Sequence, residues 1–140
     1  MVLKELIEWL ETHDAGIVLP YGFHRPHSYR GFYDELAFEP AENVTIGSML
    51  ECARAANGET YNGYKGGCYK MGEYTNVWLA ERGSTGEPIS VATLEASLTI
   101  KAHREMQSAF RQIRRWIEAQ DMPGEWTAEI YELAGRMLDY

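Results

Sequence analysis

The spacing of apolar residues divides the chain near residue 91. Over residues 2–12, Leu3, Leu6, Ile7 and Leu10 recur at helical intervals, while Glu5, Glu8 and Glu11 fall off that stripe. This predicts an amphipathic helix. A short β-type run from Ile17 to Leu19 stops at Pro20 and Gly22. "FHRPHS" predicts a loop, because Pro26 lacks an N–H donor and restricts Arg25. Phe32, Tyr33, Leu36 and Phe38 favour strand, but Asp34-Glu35 breaks their alternation and predicts a bulge or tight turn. After a loop at "EPAEN", Thr45 is placed to cap a helix from Ile46 to Ala56, with Ile46, Met49, Leu50 and Ala53 inward. Asn57-Gly58 is its stop signal.

"YNGYKGGCYKMGEYTNVWLAERGSTGEP" then predicts short strands and turns. Its clearest strand is "TNVWLAE", with Val77 and Leu79 on one side and Trp78 and Ala80 on the other. From Val91 to Gln120 the period becomes helical. Leu98, Ala102, Met106, Ala109, Ile113 and Trp116 follow 4-4-3-4-3 spacing, close to a heptad seam. Pro123-Gly124 ends that helix, and a last one over about 125–138 carries Trp126, Ile130, Leu133, Met137 and Leu138. The expected fold is α+β: a small, mostly antiparallel sheet flanked by helices, with a long C-terminal helix at a homo-oligomer interface. Residues 1–90 form the expected body. Residues 91–140 form a helical segment packed on the body and on a partner subunit.

With 140 residues, one core of ordinary size is expected. The net charge of −8 argues against a nucleic-acid polymer as partner, since phosphate backbones require clustered Lys and Arg. The charge is uneven, however. Residues 91–120 hold five Lys or Arg against three Glu, and the rest of the chain holds eight against eighteen acids. The long helix is therefore the locally basic element. No apolar run approaches the ~20 residues of a membrane span. Acidic residues interrupt the N-terminal stretch, which does not read as a signal peptide. The initiator Met leads straight into the first helix, the expectation for a complete small cytoplasmic product. Cys52 and Cys68 lack metal-ligand spacing and are expected to be thiols.

The chemistry-bearing positions point to binding rather than catalysis. No G-x-S-x-G elbow or cysteine-nucleophile signature accompanies the four histidines. His24 and His27 are spaced H-x-x-H, but zinc requires three or four ligands, and His24, His27, Asp34 and Cys68 would have to converge through the fold. "GYKGG" is not a phosphate loop of the G-x-x-x-x-G-K-[ST] kind; it is a tight turn, or an anion nest to which Lys65 adds charge. In "SYRGFYDELAFEP", Arg30 sits among Tyr29, Phe32 and Tyr33. A guanidinium among rings suits a nucleotide-like ligand, and Gly31 leaves room for close approach. The competing reading pairs Arg30 with Glu39 or Asp34 at the surface. On the long helix, Arg104, Ser108, Arg111 and Arg115 lie within about 60° of one another. They form either a solvated stripe or, at a symmetric junction, a bidentate grip on phosphates. No sequence signature calls for a cofactor or a metal.

Two segments also carry a resemblance. "SYRGFYDELAFEP" followed by "GYKGGCYKMGEYTNVWLAERGSTG" resembles a set of small phage-encoded proteins. These pair S-Y-R-G-x-Y-x-x-L-A-x-E-P with G-Y-K-G-G-x-Y-x-M…W-[LV]-A-E-x-G, and the likeness covers residues ~1–90. The functional family it is similar to is the Thoeris anti-defence sponges, α+β proteins that dimerise and sequester cyclic ADP-ribose isomers without degrading them. Some also hold cyclic oligonucleotides. The resemblance implies a cyclic nucleotide partner, no catalysis, a homo-oligomer and the cytoplasm of an infected bacterium. It implies phosphate contacts from arginines spaced i, i+4, matched here by Arg111 and Arg115, and a pocket aromatic for which Tyr29, Tyr33 and Trp78 are candidates. Arg30 and Lys65 would add charge. The tail beyond residue 120 departs from the compact family pattern. Two other classes compete: a protein inhibitor acting through Trp116, Trp126 and Tyr131, and a nucleotide-cleaving enzyme with His24 or His27 as base.

Overall fold

A computed structural model describes residues 1–81, 85–119, 132 and 136. Of the expected helix over 125–138, Glu132 and Arg136 are described and are helical, while Trp126 and Tyr131 lie outside the described residues. The elements run α1 (Leu3–Glu11), β1 (Val18–Tyr29), β2 (Phe32–Thr45), α2 (Ile46–Ala56), β3 (Thr60–Asn62), β4 (Cys68–Lys70), β5 (Val77–Leu79), β6 (Glu87–Pro88) and α3 (Val91–Ala119). The fold is α+β. A four-stranded sheet has the order β1-β2-β5-β6, and β3-β4 forms a separate ribbon. All pairings are antiparallel except β2 with β5.

The helices form where the apolar stripes fall. Leu3, Leu6 and Leu10 of α1 and Ile46, Met49, Ala53 and Ala56 of α2 are buried in one core. Thr45 caps α2 by accepting a hydrogen bond from the Ser48 N–H at 3.1 Å. Gly58, at φ 86°, takes the left-handed conformation that ends it. The first amides of α1 are engaged by the chain before β5: Leu3 N–H donates to the Thr75 carbonyl and Lys4 N–H to that of Glu73, both at 2.8 Å. The sheet then alternates faces. Leu36, Phe38, Val77 and Leu79 join the main core, whereas Ala37, Trp78 and Ala80 meet Tyr29 on the other side.

Two expected loops are strand instead. "FHRPHS" lies within β1 and "EPAEN" within β2. β1 is a sheet edge, where a proline's missing donor costs no ladder bond. Pro26 is accommodated by a bulge: His24 pairs with Glu39 and Pro26 with Phe38, leaving Arg25 as the extra residue at φ 41°. Asn43, at φ 51°, lies within β2, whose register with β1 is unbroken there.

Contacts divide the chain into two units, Met1–Leu98 and Thr99–Tyr140. In the first, Ser97 covers the edge of β1: its hydroxyl donates to the Tyr21 carbonyl at 2.7 Å and accepts from the Tyr21 N–H at 3.3 Å. In the second, the 4-4-3-4-3 seam is open rather than covered. Met106, Ile113 and Trp116 are 50%, 45% and 57% exposed. The covered positions of α3 here are Lys101, His103, Gln107, Phe110 and Arg114, half-buried, and Ile117, buried. No helix among the described residues is long and apolar enough to cross a membrane.

Candidate ligand cleft

The "YRGF" segment makes the tip of the longest hairpin. Tyr29 pairs with Phe32, so Arg30-Gly31 is a two-residue turn. Gly31 takes φ 102°, a conformation closed to L side chains. One pair earlier, Ser28 faces Leu36. Tyr33, Asp34 and Glu35 therefore have no partner residues on β1, and the irregularity expected at Asp34-Glu35 is present. It separates the side chains of the tip into distinct groups.

The first group is a set of parallel rings. Tyr29 lies 4.8 Å from Trp78 with 6° between planes, and Phe32 lies 6.0 Å from Tyr29 and 6.4 Å from Trp78. Glu35 fixes Trp78, accepting from its indole N–H at 2.6 Å and from the Asn76 amide at 3.1 Å. The Tyr29 hydroxyl accepts from the Gly86 N–H at 3.0 Å. Gly86 is required there, since a Cβ would lie 2.8 Å from the Ala80 methyl and 2.9 Å from the Tyr29 ring. Tyr29 is buried and serves as the base of this set; Phe32 is its exposed member. Tyr33 stands apart, stacked on Tyr69 at 5.5 Å.

The second group lines a cleft of about 300 Å³ between the hairpin tip and the β3–β4 turn. The bulged edge of β1 contributes Arg25, Pro26, His27 and Ser28, the tip contributes Arg30, β2 contributes Glu39, and the β3–β4 side contributes Asn62 and Tyr64. The Arg30 guanidinium lies 3.8 Å from the centre of the Tyr64 ring, in place of the carboxylate pairing that sequence offered as the alternative. Such a contact contributes ~0.5–1 kcal/mol at an exposed site and leaves the guanidinium edge for an anion. Glu39 instead meets Arg25 at 3.8 Å and His24 at 3.7 Å. The Arg25 side chain is 75% exposed, so its attraction to Glu39 is screened and weak, about 0–1 kcal/mol. Arg25 combines a left-handed backbone with a following proline, two features that disfavour one another at a cost on the order of 1–3 kcal/mol.

"GYKGG" positions Tyr64. Gly63 N–H donates to the Gly67 carbonyl and Gly66 N–H to the Gly63 carbonyl, both at 3.0 Å, with Gly66 and Gly67 at φ 91° and 84°. The Gly66 amide is thus engaged inside the turn, not aimed at an anion. Lys65 is exposed on that turn and does not line the cleft. Both ring nitrogens of His27 face backbone carbonyls, Nδ1 at 3.0 Å from Ser28 and Nε2 at 3.2 Å from Ala80. A neutral imidazole carries a single N–H, so it donates to one of these two carbonyls; with the proton on Nε2 the bond to Ala80 ties β1 to the chain after β5. Among the described residues, no three His, Cys, Asp or Glu are placed to share a metal ion. Cys52 and Cys68 are free thiols. Within the ribbon, burial first and then the Glu59 and Cys52 charges hold the Tyr61 phenol above its ordinary range.

Of the residues singled out from sequence, Arg30 lines this cleft. Tyr29 and Trp78 belong to the ring set, Tyr33 to the Tyr69 stack and Lys65 to the turn. Arg111 and Arg115 are exposed on α3 in the second unit, as are Arg104 and Ser108. Sequence reasoning missed Arg25 and Tyr64 as site residues. An Arg-Pro pair inside a long edge strand is the signal that finds Arg25, through the bulge it forces. Tyr64 has no local signal, because its role depends on the ribbon docking beside the hairpin. Comparison with protein-family models, with curated proteins and with solved structures finds no match.

Proposed function

We propose that the protein binds and sequesters a small anionic, ring-bearing ligand of the cyclic nucleotide type, without cleaving it. The observation that carries this reading is the Arg30–Tyr64 pair on the wall of the cleft, with Arg25 on the same wall. A guanidinium held over a ring keeps N–H groups at its edge for a phosphate. The setting that the resemblance implies, a phage protein lowering an immune signal in the cytoplasm of an infected bacterium, is consistent with such a site.

The test is ligand release. Protein incubated with cyclic ADP-ribose isomers and cyclic oligonucleotides is filtered and heat-denatured, and the released mass is identified. Intact ligand at about one per chain or per dimer is expected, with Arg30→Ala lowering retention at least about tenfold, the loss of one charge-assisted contact. A converted mass would establish an enzyme; retention of nothing would end the binding reading.

A second reading concerns assembly. The open residues Ala102, Met106, Ala109, Ile113 and Trp116 repeat at heptad-like spacing on α3. That period is self-complementary, so a second copy of the same helix is the partner we propose.

A further inference from the structure

The cleft binding proposed above leaves two ligand chemistries open: a phosphodiester, with one negative charge at each phosphate, and a pyrophosphate, with two charges on adjacent phosphates. We infer that the cleft is a site for a single phosphodiester-linked nucleotide unit and that Glu39 is the residue that discriminates against higher charge.

The inference rests on three observations. First, the groups lining the cleft that are charged throughout the neutral range are Arg25, Arg30 and Glu39. They leave one surplus positive charge, which matches a monoanion. Second, Glu39 is held in the cleft wall rather than in open solvent. Its side chain is 18% exposed, and it lies between His24 at 3.7 Å and Arg25 at 3.8 Å. A carboxylate so placed repels each added ligand charge, while it accepts hydrogen bonds from ribose hydroxyls or a base amino group. Third, about 300 Å³ lies at the lower end of the ~300–1,000 Å³ range of small-molecule pockets, room for one nucleotide unit. The strained bulge gives the same picture a local cause, since it sets Arg25 beside Glu39 on one wall. Arg25 and Arg30 would approach the phosphodiester from β1 and the tip, and the Tyr64 ring would support the Arg30 fork from behind.

The experiment compares 3′,5′-cyclic AMP, AMP and ADP-ribose by calorimetry on the full chain and on Glu39→Gln, an isosteric change. The three probes share a base, and AMP and ADP-ribose each carry about one more negative charge than cyclic AMP. The expected result is at least about tenfold tighter binding of cyclic AMP than of AMP or ADP-ribose by the natural chain, falling to within about threefold in Glu39→Gln. Tighter binding of AMP or ADP-ribose by the natural chain overturns the inference, as does a ratio that Glu39→Gln leaves unchanged. In both cases cleft binding itself would stand. Failure of all three probes to bind while a larger cyclic oligonucleotide binds also overturns the single-unit assignment. Failure of every ligand removes the underlying reading as well. Because the readout is a ratio between ligands within one variant, partial loss of folded protein does not alter it.

Discussion

At the scale of single residues, the chain places backbone conformations where the side chains need them. Gly31 permits the two-residue turn that presents Arg30, and Arg25 tolerates a left-handed backbone in front of Pro26. Only the first suits its residue type. Arg25→Gly is therefore expected to raise stability by up to about 1 kcal/mol, because the left-handed penalty of an L residue disappears. The same change is expected to weaken nucleotide retention several-fold, since it removes one of the two cleft arginines. Urea midpoints and the ligand-release assay read the two effects separately. Loss of both stability and binding would show that the Arg25 side chain is a structural support. The sequence offered Gly31 as a residue leaving room for close approach; the turn it makes became visible only once Tyr29 and Phe32 were paired across the hairpin.

At the scale of elements, the helices were the most legible part. α2 begins at the expected cap and ends at Ala56, before the expected stop, because both signals act within a few residues of chain. β5 displays the expected alternation. The hairpin was less legible, since Pro26 and Pro40 read as breaks when the sheet position of their strands is unknown. Glu35 illustrates a further gap. Its acidic side chain breaks a hydrophobic pattern, and the reason lies on another strand: it holds the Trp78 indole and the Asn76 amide. Removing it leaves a half-buried indole N–H without its acceptor. Glu35→Ala is expected to cost about 1–3 kcal/mol and to loosen the Tyr29–Trp78–Phe32 set. Thermal melts, together with near-ultraviolet circular dichroism of the ring set, check this. An unchanged melting temperature would mean that water replaces Glu35 at no cost.

At the scale of the whole molecule, α3 carries the question of assembly. If its open seam meets a second copy, Ile113→Asp places a charge on each side of an apolar contact and is expected to yield monomers without lowering the melting temperature of the natural monomer. Light scattering after size exclusion reads the mass directly. A natural chain that is already monomeric would leave the seam to another protein, the inhibitor class that competes with sequestration.

The sequence alone determined the α+β class, the bounds of its strongest helices and the faces of β5. Each of these depends on periodicity or on a signal carried by neighbouring residues. Only the tertiary structure decided that Arg30 rests on Tyr64, that Arg25 and Glu39 share its cleft, and that Tyr29, Tyr33 and Trp78 divide between two ring stacks. Those outcomes depend on strand register and on the docking of the β3–β4 ribbon. Residues far apart in the chain meet there, and local pattern carries no record of which will face which.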